Sequence, residues 1–344
     1  MAVTLSDIAR DLNVSVVTVS KVLRNKGKIS SETRRLVLKR AEELNYRPNW
    51  IARSLATRRT FTIGLLLPDF THPFFAEIAK AVAVYVRKQG YHLLISYSEE
   101  DAAVERSEIE SLLARQVDGL IIASAQSPDQ HAFFEAIRER KTPFVLIDRP
   151  IPGVAASFVG VDDEEIARLA TEHLLAQGCR RIAHLRGPHI GLAESRFLGY
   201  AKTLEEHGLT PLRQHVVEAG FKDQTGYEAM RALLQTSPRP DGVFCYNDPI
   251  AIGAMKAVAE AGLRVPADVA IVGAGNVHYS DVLAVPLTTV DQQPDEIGRK
   301  ASELLLEQIG RRQPNKPRKI LLPPRLVARD STLRAGVATD AALN

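Results

Sequence analysis

A chain of 344 residues that is 45% apolar and 25% charged has ordinary globular proportions and length for two or three packed units, which excludes disorder as the default reading. No run of about 18 or more apolar residues occurs, and the opening MAVTLSDIAR has no apolar core, so neither a membrane span nor a secretory leader is expected and the chain is assigned to the cytoplasm. The net charge of +3 is unevenly spread, because residues 1–60 hold 13 basic and 5 acidic groups against 31 and 36 in the remainder, so only the first segment seeks a polyanion.

In that segment Leu5, Ile8, Ala9 and Leu12 share one helical face, and Thr4 with Asp7 three residues on reads as a capping box. The helix is expected to stop near Leu12 and Asn13. Ser15 suits the N-cap of a second helix in which Val19, Val22 and Leu23 repeat at helical spacing. A third helix is predicted from Ser30 or Ser31 to about Asn45, turning Leu36, Leu38, Ala41 and Leu44 toward the other two. The outline is a three-helix DNA-binding module whose second helix enters the major groove, so Val16, Val17, Thr18, Ser20 and Lys21 are the candidate base contacts. Val17 lies off the apolar face and suits a thymine methyl. Val16 has two readings, a base contact or an edge of the core, and Lys21 has the rival reading of a solvated surface lysine.

From Phe61 onward, apolar runs of strand length (IGLLLPD, HLLISYS, GLIIA, FVLID, FVGVD, RIAHLRG, GVFCYN, VAIVGAG) alternate with helical patterns. Alternation of this kind builds parallel sheets from βαβ units, and so many strands exceed one comfortable sheet, so two doubly wound lobes are expected with a ligand between them. Residues directly after each apolar run would project into the cleft. Cys179 and Cys245 form no CxxC pair and the nine histidines are scattered, with only His72 and His278 placed near the cleft; no metal and no cofactor is expected. VGAGN lacks the third glycine of a dinucleotide fingerprint, and no P-loop, HExxH or GxSxG is present, so no catalytic residue is assigned.

TLSDIARDLNVSVVTVSKVL followed by ELNYRPNWIARSLATRRT closely resembles the head and hinge of the lactose-repressor (LacI/GalR) family of bacterial transcription regulators, and the resemblance runs from Thr4 to about Thr332. It implies a helix-turn-helix head (1–48), a hinge helix and linker (49–60), and a core like that of periplasmic sugar-binding proteins. In that core the first lobe takes 61–160 plus 291–325, the second takes 161–290, and 326–344 form a tail. It also implies that Asn49, Ala52, Arg53 and Leu55, with Thr4 and Ser15, join the DNA-facing set. Leu55 would be a wedge in the minor groove, the rival being a linker helix with Leu55 in a core. The implied partners are double-stranded operator DNA, a second copy of the chain, and a small-molecule effector of the carbohydrate or sugar-acid class; association with the nucleoid would follow from DNA binding.

On the same resemblance Phe74 and Phe75 would pack on a ligand ring, with one of the two expected in the core. Asp148 and Arg196 would grip polar groups, Phe221 would be an aromatic platform and Asn247 a bidentate amide, while Asp248 beside it suits a helix cap. One departure stands out: Gly275 occupies the place where the family usually carries a sugar-binding aspartate. With Arg149, Arg196 and Lys222 near the cleft, this suggests an anionic effector, unless those arginines form internal ion pairs. Repression relieved by the effector is the leading expectation. The alternatives are DNA binding that needs a corepressor, a transport-type binding protein, which the basic head argues against, and an enzyme.

Overall fold

The computed structural model describes residues 3–23, 27–47, 54, 57, 59–126, 131–188, 191–310 and 316–334. The chain divides into two compact units, residues 1–60 and 61–344. In the first unit, α1 (Leu5–Asp11), α2 (Val16–Leu23) and α3 (Ser31–Glu43) surround a small core of Ile8, Ala9, Val19, Val22, Val37 and Ala41. The predicted cap is present in both directions: Asp7 N–H donates to Thr4 Oγ1 at 3.3 Å and Thr4 N–H to Asp7 Oδ2 at 2.9 Å. Arg40 fixes α3 to α1 through two bonds to Asp11, at 2.9 and 2.6 Å. The face of α3 differs from expectation. Leu36 and Leu38 are exposed, and Val37 is the buried residue. Successive helix positions are turned by about 100°, so with Val37, Ala41 and Leu44 facing inward, the two leucines fall on either side of the stripe.

The second unit contains two six-stranded sheets. The first runs β11-β5-β4-β3-β1-β2 and is parallel throughout, formed by β1 (Thr62–Leu67), β2 (His92–Tyr97), β3 (Gly119–Ile122), β4 (Phe144–Ile147), β5 (Ser157–Val161) and β11 (Lys319–Leu322). The second runs β12-β10-β9-β8-β6-β7, formed by β6 (Ile182–Arg186), β7 (Val216–Glu218), β8 (Gly242–Cys245), β9 (Ala270–Ala274), β10 (Thr288–Asp291) and β12 (Arg325–Val327), of which only β12 is antiparallel to its neighbour. In β1, Ile63, Leu65 and Leu67 face α4 (Pro73–Lys88) and α11 (Pro294–Gln308), while Leu66 faces α5 (Ala102–Ala114) and α6 (His131–Glu139). Both faces are covered, which is why the parallel strands read as continuous apolar runs rather than alternating ones. The second sheet is enclosed in the same way by α7 (Asp163–Ala176) and α8 (Gly191–Glu206) on one face and α9 (Asp223–Leu233) and α10 (Asp248–Glu260) on the other.

The chain crosses between the sheets three times, after β5, after β10 and after β11, each time within about two residues of strand end. The segment from 326, expected as a tail, is instead part of the second sheet as far as the described residues go. Leu326 and Val327 pair with β10, and Ser331 and Thr332 are buried, bonded to the Ile271 carbonyl at 2.6 Å and to Thr288 at 2.8 Å. Cys179 and Cys245 are buried free thiols. Among the described residues no helix is long and apolar enough to cross a membrane, and no group of three His, Cys, Asp or Glu could hold a metal ion.

Candidate functional site

In the head, α2 buries Val19 and Val22 and turns the other side of its first two turns outward. Val17 is 61% exposed and Val16 42%, so Val16 belongs with Val17 rather than with the core. Lys21 is exposed, and Thr18 and Ser20 are half-buried beside it. Ser15 accepts from Thr18 N–H at 3.0 Å and its hydroxyl meets that of Thr18 at 2.8 Å, so both side chains shape the helix start; Thr4 is engaged in the same way at α1. An exposed valine pair flanked by hydroxyls and a lysine is a surface able to meet base edges in a groove. Asn49, Ala52, Arg53 and Leu55 lie outside the described residues.

In the core unit, the turns after β1, β2, β4, β7, β8 and β10 converge on a cavity of about 520 Å³ between the sheets, within the usual range for small-molecule sites. All six residues expected at an effector site, Phe74, Phe75, Asp148, Arg196, Phe221 and Asn247, line it. Phe74 and Phe75 meet edge to face at 5.2 Å and are 4% and 5% exposed, so both belong to the core cluster as well as to the cavity wall. Opposite them Phe221 packs edgewise on Tyr246 at 6.1 Å.

The polar groups are held by a dense network. Arg196, 3% exposed, donates from Nε to Asp163 at 2.8 Å, from Nη2 to Gln292 at 3.0 Å and from Nη1 to the Tyr246 carbonyl, with its guanidinium 4.5 Å from the centre of the Tyr246 ring. Asp163 and Gln292 stand beside the first two crossovers, so this one side chain ties both together. Arg149 forks onto Glu100 at 2.6 and 2.7 Å, and its Nε lies 3.4 Å from Asp148. The sequence left open whether these arginines face an anionic ligand or pair internally, and they are paired. Burial pushes the Asp148 carboxyl up against the pull of Arg149 and Arg196, and raises Asp163 to about 6 despite Arg196 beside it.

Asn247, not Asp248, caps α10, its Oδ1 accepting from Ile250 N–H at 2.9 Å. Asp248 is fully buried and instead takes bonds from Val277 N–H at 2.9 Å, Ser280 at 3.0 Å and Thr289 at 2.5 Å. This carboxylate lies beneath the end of β9, where Gly275 has φ +144, a conformation that side chains rarely adopt. The backbone at this position thus suits glycine and disfavours any residue with a side chain.

Several lining residues went unnoticed in the sequence: Asp69, Phe70, Tyr97, Glu99, Glu100 and Gln292. Each follows or ends a strand, so the expectation that residues after strands project into the cleft would have found them had it been applied to every strand end. His72 lines the cavity, whereas His278 does not: its side chain is 75% exposed and reaches across to Glu77 at 3.8 Å.

The family profile described as "Bacterial regulatory proteins, lacI family" matches residues 4–49, and that for a "Periplasmic binding protein-like domain" matches 171–332. The chain is 37% identical over 330 residues to the ribose operon repressor of Halalkalibacterium halodurans, covering 96% of this chain and 97% of that one. It is 34% identical over 333 residues to the transcriptional repressor PurR of Pasteurella multocida, covering 95% and 98%. Among solved structures, the Lac repressor dimer bound to operator and an anti-inducer superposes with a TM-score of 0.84 at 29% identity, covering 97% of this chain and all, 100%, of that one. A LacI-family regulator from Enterococcus faecium with bound ribose gives 0.70 at 29% identity, covering 79% and 98%. With a LacI-type head matched by profile and relatives aligned over nearly their whole lengths, the chain belongs to the LacI family and is a DNA-binding transcriptional repressor, not an enzyme.

Proposed function

We propose that this repressor binds a near-palindromic operator in the cytoplasm as a homodimer, nucleoid-associated while bound, and that a small polyhydroxylated effector in the cavity sets its affinity. The observation carrying this reading is the cavity itself. Aromatic walls from both lobes face one another across buried polar groups, the composition that suits a sugar ring with apolar faces and hydroxyl edges. Two buried nitrogens at its wall, His72 Nδ1 and Arg149 Nε, have no hydrogen-bond partner. The lining carries Asp69, Glu99, Glu100 and Asp148 against Arg149, Arg196 and Lys222, and both arginines are engaged by carboxylates. That balance favours a neutral carbohydrate over a sugar acid. Ribose is the first candidate, since relatives are named as ribose operon repressors and one solved neighbour contains it. Purine bases are the second, because other relatives are PurR repressors and the aromatic walls would equally accept a planar ring. On the operator side, Val17, Val16 and Lys21 would read bases, Asn49, Ala52 and Arg53 would meet the backbone, and Leu55 would wedge the central step.

Allostery requires different effector affinity in two arrangements of the lobes, and the crossovers that Arg196 ties together are where such a change would pass. The test is fluorescence anisotropy of the full chain on DNA fragments from around its own gene, alone and with ribose, ribonate or hypoxanthine. Release by ribose is expected. Binding that appears only with hypoxanthine would establish a corepressor, release by ribonate alone would overturn the neutral-ligand reading, and equal affinity for every fragment would overturn operator recognition.

A further inference from the structure

The amide of Asn247 is fixed from two sides. Its Oδ1 accepts from Ile250 N–H at 2.9 Å, and its Nδ2 donates to the Phe221 carbonyl at 3.0 Å. Reversing it would set an NH2 group against an N–H and an oxygen against a carbonyl. The remaining N–H of Nδ2 meets His72 Nε2 at 3.2 Å, on the other lobe. A ring nitrogen that faces a donor is the unprotonated one, so His72 carries its proton on Nδ1, which is buried without a partner.

The backbone of the same residue starts α4, its carbonyl accepting from Phe75 and Ala76 N–H at 3.1 and 3.2 Å, and its ring rests edgewise near Phe74 and Phe75 at 6.4 and 5.6 Å. The charges facing it are Asp69, Glu100 and Arg149 from the turns of the first lobe and Arg196 from α8. Acids and bases are equal in number, and burial outweighs them and holds the ring neutral, with a pKa of about 4. A cationic ring would point a second N–H at the Asn247 amide.

We propose that His72 is a positioning residue for lobe closure: as the neutral, Nδ1-protonated tautomer it accepts the Asn247 amide across the cleft and so draws the Phe221 carbonyl and the start of α10 toward the first lobe. Two residues of the expected effector site are thereby placed by a residue of the opposite lobe. The consequence for an effector rests on the cleft being its site, whereas the latch itself is a property of the ligand-free chain.

Hydrogen exchange of the full chain without ligand, followed in peptides covering residues 219–223 and 247–252, tests it with two variants. His72→Phe keeps a ring but removes the acceptor, and His72→Gln offers an oxygen near the position of Nε2. Exchange roughly fivefold faster in His72→Phe and near that of the parent in His72→Gln is expected from loss of one hydrogen bond. Equal acceleration in both variants would reduce His72 to packing, and any other pattern would remove the latch. Nitrogen-15 labelling of histidine should show the Nδ1-protonated tautomer at neutral pH, with the resonance assigned by its loss in His72→Gln; an Nε2-protonated or cationic ring would overturn the proposal. Failure of the effector reading would register separately, in the operator-release assay.

Discussion

Arg196 and His184 show how single side chains are committed by burial. Arg196 has all its directions filled by Asp163, Gln292, the Tyr246 carbonyl and the Tyr246 ring. Arg196→Ala leaves Asp163 buried without its partner, so a loss of about 3–5 kcal/mol is expected in denaturant unfolding. Arg196→Lys cannot fork or stack and should recover less than half of that; full recovery would show that charge alone matters. His184 stacks on Phe244 at 4.7 Å and 8°, bonds the Phe244 carbonyl at 3.0 Å, and is held by burial at a pKa of about 3, far below the usual 6.5. The unfolded chain takes up a proton that the folded site refuses. The stability this site contributes is therefore complete above pH 6.5 and is lost as pH falls toward 3, by up to about 1.4 kcal/mol per pH unit. Asp163 works in the opposite sense, since its raised value favours the folded state as pH falls from about 6 toward its usual 3.8. Unfolding midpoints of His184→Phe across pH 4–7 should show a flatter acid limb than the parent, and an unchanged limb would place the titration elsewhere.

At the scale of elements, α9 and α10 lie close enough that glycine is required where they touch. A Cβ on Gly253 would stand 1.9 Å from the Asp223 carbonyl oxygen, and one on Gly226 would stand 2.5 Å from that of Ile250. Both obstacles are backbone, so Gly253→Ala must push the helices apart, at a cost on the order of 1–3 kcal/mol. Gly191→Ala, where nothing lies within 4 Å, should be neutral or slightly stabilising when the two variants are compared by thermal unfolding. In the head, Val37→Ala should cost about 1–3 kcal/mol and Leu36→Ser less than about 0.5 kcal/mol, because α3 buries the first and exposes the second. The reverse order would restore the face expected from the sequence. That expectation failed because a helix with three neighbouring apolar residues, Leu36, Val37 and Leu38, can be turned either way by its pattern, and the packing of α1 and α2 decides.

For the whole molecule the predictions concern DNA. Val17→Ala should leave unfolding unchanged, because its side chain is exposed, and weaken specific binding by on the order of 1 kcal/mol. Lys21→Ala, if the lysine meets a base rather than a phosphate, should weaken specific binding with little change in salt slope, whereas Arg59→Ala should mainly flatten that slope. Leu55→Ala should lower specific binding more than nonspecific binding in the same titrations; equal losses would contradict the wedge. The strands that sequence reading found were those carried by clear apolar runs, such as β1, β4 and β9, while Asp148, Phe221 and Asn247 were placed by the family resemblance. It passed over β7, β10, β11 and β12, which are three or four residues long and of which all but β10 stand at a sheet edge.

The sequence alone determined the division into a basic helical head and two parallel-sheet lobes, because helix caps, the spacing of apolar residues and the alternation of strands with helices are local properties of the chain. The resemblance to a known family placed six further residues at one cavity, at the end of the sheets where the turns after parallel strands gather. Only the tertiary structure decided what those residues do there. Arg149 meets Glu100, Arg196 meets Asp163 and Gln292, and Asn247 rather than Asp248 caps α10 while reaching His72 on the opposite lobe. Each partner but Ile250, which Asn247 caps, is tens of residues away, and whether a buried charge is neutralised by the protein or left for a ligand depends on a few ångströms of separation that no local pattern specifies.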